Sequence, residues 1–362
     1  MNDTSYMPII LDKDFKILGV CDTFKSLIWT DRFRIPGDFE MTLHPNDPIL
    51  KMLTPDCYLI TPKSEHFMII EGSELSTDAA TGEDIIIISG RSGESITTRR
   101  IIWGQAVYYD TELAIIQSLI NREIISASDV NRRISNFIFK NELPSSYATR
   151  TKIEAQFTGD YLSDALKSIC DSADIGFKII FDDNYNFVFS PYTGEDRSYR
   201  QTVNPYVVFS PAFDNLKGTK YLSSNKTLKT TALIGGEGEG NARRYTSIVD
   251  PSYSGLYRRE LFVDARDISS DVDGGKLTNE QYIAQLKQRG NEKLSDKVNK
   301  AIQEVSADII TTENYQYGRD FFMGDIVQVV NQYGVEVSAR IVEMIHTEDD
   351  DGIINTPSFT II

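Results

Sequence analysis

A chain of 362 residues is too long for one compact core, and its 41% hydrophobic and 25% charged content is that of globular domains rather than disordered chain. Its 37 basic and 53 acidic residues leave a net charge of −16, which argues against nucleic-acid backbone or anionic lipid as the main partner, because both demand a basic face. Cys21, Cys57 and Cys170 are odd in number and widely spaced, supporting neither a disulfide framework nor a CxxC site, so synthesis in a reducing cytosol is expected.

The opening MNDTSYMPIILDKD has neither the basic start nor the apolar core of a signal peptide, so any extracellular role is expected without classical secretion. Strand alternation follows. Leu27, Trp29, Phe33 and Ile35 share one parity, Pro36-Gly37-Asp38 makes a turn, and Phe39, Met41 and Leu43 resume on one face, which predicts a hairpin. Short strands around 58–61, 67–71 and 84–89, parted by Pro, Gly and Ser clusters, extend it to a small antiparallel barrel or sandwich. The longest aliphatic run, Ile85 to Ile88, is far short of a membrane span, so no membrane insertion is expected.

The period then changes. Leu113, Ile116, Leu119, Ile120 and Ile124 fall at helical spacing, as do Leu162, Ala165, Leu166 and Ile169, and two strands over 176–181 and 186–191 follow the second helix. Strand character returns over 206–210, 215–225 and 229–234, yields to a helix started by a Thr278/Gln281 capping box, and resumes over 301–311, 326–331, 335–346 and 357–362. In the 335–346 segment, Val335, Val337, Ala339 and Ile341 share one face and Glu336, Ser338 and Arg340 the other. The expected plan is α+β but mainly β: a first β domain over 1–105, an α+β insertion over 106–200, a second β domain from 201–245 and 301–362, and a helical insertion over 246–300.

Signals for chemistry are sparse. His44, His66 and His346 show no ligand spacing and are expected on strand surfaces; Ser92 in GRSGE misses the GxSxG phasing and is expected in a loop. LIGGEGEGNARR, 233–244, lacks both nucleotide-loop endings, and Glu237 and Glu239 would repel a phosphate, so a mobile loop leaving a strand is expected. Ser269, Asp271, Asp273, Gly274 and Glu280 fall at EF-hand loop positions 1, 3, 5, 6 and 12. This is the best metal signal, a calcium candidate. Against it, position 1 is Ser and the upstream LFVDARDI reads as strand, which favours an acidic loop before the next helix; no cofactor is expected.

In GRDFFMGDIVQVV, 318–330, two aspartates bracket an apolar trio. Tyr317-Gly318-Arg319-Asp320, then Met323-Gly324-Asp325-Ile326-Val327, then Ala339-Arg340-Ile341-Val342-Glu343 resemble the last barrel of siphophage tail-tip (baseplate) hub proteins. The 233–238 glycine turn with Arg243-Arg244, the strand 262–268, the helix 282–294 and the N-terminal hairpin with Trp29, Arg34, Pro36-Gly37 and Phe39 are similar to family segments in family order. Met323 stands where the family often has Leu.

The resemblance implies a baseplate-hub fold shared with myophage hubs and secretion-spike bases: two small antiparallel β-barrels, each with an insertion, contributed by three subunits to a pseudo-six-fold ring. It implies a homotrimer beneath the distal tail protein ring, near the tape-measure protein, working with a tail fibre or receptor-binding protein at the host cell surface. Such a protein is made in the host bacterial cytoplasm, ends in the virion tail tip and gates a channel through which DNA passes without specific binding. Many relatives carry a peptidoglycan-cleaving domain; since the barrel motif lies close to Ile362, no enzymatic extension, and no catalytic residue, is expected. On this reading Gly318, Asp320, Gly324 and Asp325 form turns at a barrel rim, and Trp29, Phe33, Phe39, Phe321 and Phe322 fill a barrel or an interface. The rival is a glycan-binding or peptidoglycan-hydrolysing protein whose cleft in the α+β insertion would offer Tyr161, Asp164, Asp171 and Asp174.

Overall fold

The computed structural model describes residues 5–77, 82–272, 275–296, 299, 302–309 and 315–362, with backbone alone at 217–223 and 302–309. The protein is mostly β with some helices. It divides into two compact units: Met1–Ser95 with Gly176–Tyr221 and Glu304–Ile362, and Ile96–Ile175 with Leu222–Gln303.

In the first unit one continuous run of antiparallel pairs leads from Gly352–Ile361 through Glu336–Asp349, Ser26–Arg32, Asp38–Leu43, Asp84–Ser92 and Ser64–Thr77 to Gly176–Phe181 and Phe187–Tyr192. The expected hairpin is its centre, with Trp29 paired to Phe39 and also to His346. The unit holds two apolar cores. One gathers Trp29, Phe39, Met41, Leu43, Leu59 and Met68. The other gathers Phe33, Val207, Phe209, Phe321, Val327 and Ile341. Of the first parity set only Ile35 is exposed, at 43%, because it falls in the turn. The pairing of the described residues draws no closed barrel.

In the second unit helix α1, Glu112–Ile120, starts at a Thr111 cap and runs into a π turn, Asn121–Ile125; Leu113, Ile116, Leu119, Ile120 and Ile124 are all buried. Helix α2 is Leu162–Ala173, and helix α3, Asn279–Ser295, begins at the Thr278/Gln281 capping box. Tyr282 and Leu286 of α3 cover Ala232, Ile234 and Val263 of a three-stranded sheet formed by Tyr245–Val249, Thr231–Gly235 and Glu260–Asp264.

This division departs from the four-part plan. The hairpin over 176–192 folds with the first unit because Ile180 pairs with His66 and the Ile179 amide donates to Glu94. The strand Thr231–Gly235 folds with the second because its buried face needs α3 as cover.

Candidate functional site

The turns of the 318–330 segment are built from backbone upward. Gly318 and Gly324 both take left-handed backbone, at φ +82° and +89°, which a side chain would strain. Asp320 accepts from the Gln316 amide at 2.8 Å and from Arg319 at 2.7 Å; the Arg319 guanidinium holds its carboxyl below the ordinary range. Asp325 is 2% exposed and accepts from the amides of Glu195 at 2.7 Å and Phe322 at 3.0 Å and from Arg197 Nε at 2.8 Å. Burial still lifts its carboxyl above the ordinary range. Arg340 donates to the Gly324 carbonyl at 2.6 Å and lies over the Phe33 ring. Both aspartates are thus committed to turns, Asp320 through Oδ2 and Asp325 through both carboxylate oxygens. Phe321 is buried against Phe209, ring centroids 5.4 Å apart, while its neighbour Phe322 stays 45% exposed.

Sequence reading missed a buried polar network in the same unit. His66 and His346, expected on strand surfaces, are each 2% exposed; among the three histidines only His44 is exposed. His66 Nδ1 lies 3.0 Å from Glu94 Oε1, and Glu94 also accepts from Ser92 and from the Ile179 amide. Ser92 is therefore no loop serine: it ends a strand at 1% exposure, and its Oγ accepts from the Gly37 amide. Burial alone would strip the proton from His66, but Glu94, aided by the charge of Asp31, pushes the imidazole up to about 10, and His66 in turn holds the Glu94 carboxyl down against its own burial. Asp31, at 1% exposure, accepts from Trp29 Nε1 and Ser64 Oγ. The signal was present: Asp31 shares the odd parity of Leu27, Trp29 and Phe33, which places it inside.

In the second unit a cavity of about 370 Å³ lies between α2 and α3, lined among others by Asp164, Lys167, Asp171, Arg289 and Glu292. It brings Asp164 and Asp171 together but neither Tyr161 nor Asp174, which cap opposite ends of α2, some ~20 Å apart at 1.5 Å per residue. Asp171 is paired with Lys167 at 2.5 Å, and buried Glu292, its carboxyl raised by desolvation, faces Arg289. The loop after Thr231–Gly235 is tied down: Glu237 pairs with Arg244 and Ser270, and Arg243 reaches Asp264 at 2.7 Å. Of the calcium candidates, Asp273 lies outside the described residues, as does Gly274. Asp271 is exposed beside Lys276 at 3.5 Å, and Glu280 sits in the first turn of α3. Among the described residues no cluster of three His, Cys, Asp or Glu could hold a metal ion, and no helix is long and apolar enough to cross a membrane.

Residues 8–359 match the family model of the siphovirus ReqiPepy6 Gp37-like protein. The chain belongs to that family. The order of its motifs had pointed to siphophage proteins, and the family match agrees. Three solved structures are similar over almost their whole length. They are a prophage MuSo2 43 kDa tail protein of Shewanella oneidensis (TM-score 0.59, 13% identity, 98% of each chain covered), a tail protein of Neisseria meningitidis (0.58, 13%, 98% of this chain and 96% of that one) and the prophage tail protein gp18 of Listeria monocytogenes (0.55, 13%, 98% and 94%). At such identity the likeness is one of fold. No curated protein matches this chain.

Proposed function

We propose that the chain is a non-enzymatic hub of the tail tip, three copies of which close a pseudo-six-fold ring between the tail tube and the tip. Membership of a siphovirus family over residues 8–359, together with a fold like that of prophage tail proteins, carries this reading. The two apolar cores of the first unit support it: on this reading each is the centre of one lobe, so three copies would supply six lobes to a ring. The rim turns at Gly318, Asp320, Gly324 and Asp325 lie beside the second lobe, and exposed Phe322 is its candidate subunit contact. The ring would meet the distal tail protein and the tape-measure protein above and a fibre or receptor-binding protein at the host surface, where subunit rearrangement opens the exit. The charge of −16 suits a channel whose walls must not hold DNA.

Light scattering across a concentration series tests the ring: three times the 40.9 kDa monomer, about 123 kDa, is expected. A monomer at every concentration, with and without the distal tail protein, refutes it. The glycan reading has the α2–α3 cavity in its favour, yet there Lys167 already occupies Asp171. Reducing ends released from purified peptidoglycan would reinstate that reading.

A further inference from the structure

His346 lies on the Glu336–Asp349 strand with its ring between two tyrosines, centroids 5.1 Å from Tyr6 and 5.6 Å from Tyr317. Its Nδ1 is 2.6 Å from Asn355 Oδ1, an oxygen that only accepts, so Nδ1 carries the hydrogen and Nε2 of the neutral ring presents a lone pair. That lone pair makes no hydrogen bond among the described residues; Asp31 Oδ2 faces it from 3.9 Å. Asp31 is meanwhile engaged by Trp29 Nε1 at 3.1 Å and by Ser64 Oγ at 2.9 Å.

Tyr6 belongs to the N-terminal segment that covers this ring. Its amide donates to Glu348 Oε2 at 2.7 Å, two residues along the strand from His346, and its carbonyl accepts from Thr61 Oγ1 at 2.5 Å. The groups bearing on the imidazole are therefore Asp31 from the Ser26–Arg32 strand, Asn355 from the Gly352–Ile361 strand, the phenols of Tyr6 and Tyr317, and Glu348 on its own strand. Burial raises both phenols, so they stay neutral throughout the acid range, and His66 already keeps its proton beside Glu94.

We propose that His346 is an acid-sensitive latch for the N-terminal segment: neutral, it fills the slot between Tyr6 and Tyr317, and protonation at Nε2 draws Asp31 from Trp29 and Ser64 and opens the slot to water by releasing Tyr6. The direction follows from burial, which holds His346 below the ordinary histidine range against the pull of Asp31. An opened state takes the proton first, so the closed latch is fully stable above about pH 6.5 and weakens as pH falls below it, by at most about tenfold per pH unit for one proton.

The test is NMR of the full chain between pH 8 and 5, following the exchange protection of the Tyr6 amide and the indole N–H of Trp29, one of only two tryptophans. An E348Q background keeps an acceptor for the Tyr6 amide while replacing the ionisable carboxylate that receives it. Protection is expected to fall up to tenfold per pH unit below about 6.5, with the Trp29 signal moving at the same midpoint, and H346Q is expected to flatten both. N355D, which sets a carboxylate beside Nδ1, lifts the closed-state imidazole toward the opened-state range and is expected to flatten the fall of Tyr6 protection below pH 6.5. Tyr6 protection that is constant from pH 8 to 5, an undiminished fall in N355D, or an unaltered pH dependence in H346Q would each overturn the latch.

Discussion

Replacing Gly324 by alanine probes the rim turn at its tightest point. The backbone there sits at φ +89°, which costs an L side chain about 1–2 kcal/mol. The new Cβ would also stand 2.5 Å from Phe33 Cε2 and 3.2 Å from the Gly194 amide nitrogen. Phe33 cannot swing aside, because it is 1% exposed and its ring already closes on Gly176, where a Cβ would come within 2.3 Å. Overpacking of this kind adds about 1–3 kcal/mol, for a total of about 2–5 kcal/mol. Gly318 is the internal control: its φ is +82°, but a Cβ there meets nothing within 4 Å, so G318A should cost only the backbone share. Guanidinium unfolding followed by Trp29, fully buried in the first unit, in a W103F background measures both variants. The reasoning is refuted if G324A costs no more than G318A. Gly324→Val should be worse still.

Two further outcomes follow from buried and exposed charge. Glu94→Gln leaves the His66 cation without its counter-charge in the core and should cost about 3–5 kcal/mol. Because the folded pKa of His66 is raised to about 10, the pair's contribution is complete below about pH 6.5 and fades as pH climbs toward 10; the depressed Glu94 makes it fade again in acid. Midpoints of unfolding across pH should show that alkaline decline in the parent and lose it in E94Q. Asp271→Ala, at an exposed side chain 3.5 Å from Lys276, should leave Tm unchanged, and millimolar calcium should not move the parent's Tm either. A calcium-induced rise that D271A abolishes would restore the EF-hand reading of that loop.

Local periodicity made most elements legible. The capping box fixed the start of α3, the aliphatic spacing marked α1, and the strand over 176–181 was readable residue for residue. What sequence periodicity cannot carry is a register shift. The Glu336–Asp349 strand has a bulge between Ile341 and Glu343, so the buried parity passes from Ala339 and Ile341 to Met344 and His346. An alternating pattern read through that point puts His346 outside, which is how both it and its latch geometry escaped notice. Arg340 escaped for a different reason: it lies on the polar face as expected but is 6% exposed, because the Gly324 carbonyl and the Phe33 ring receive its guanidinium.

The expected domain plan and the two compact units differ where pairing is most distant in sequence, and Phe33 shows why. Trp29 and Phe33 stand four residues apart on one chain, yet Trp29 belongs to the first core and Phe33 to the second. The Phe33 amide donates to the Val342 carbonyl at 3.0 Å, and its own carbonyl accepts from Phe177 at 3.1 Å, so N-terminal, middle and C-terminal segments meet at one residue. A pattern of alternation reveals that such a residue is buried, never which distant strand buries it. The splice also bears on the hub proposed above, which on that reading passes a displacement from the host surface to the tail. With both cores fastened to the Ser26–Phe33 segment, a displacement of one β lobe cannot leave the other in place without breaking these backbone bonds and uncovering Phe33. The first unit is therefore expected to move as one piece, and on the proposed hub reading any opening falls at subunit contacts rather than between its two cores.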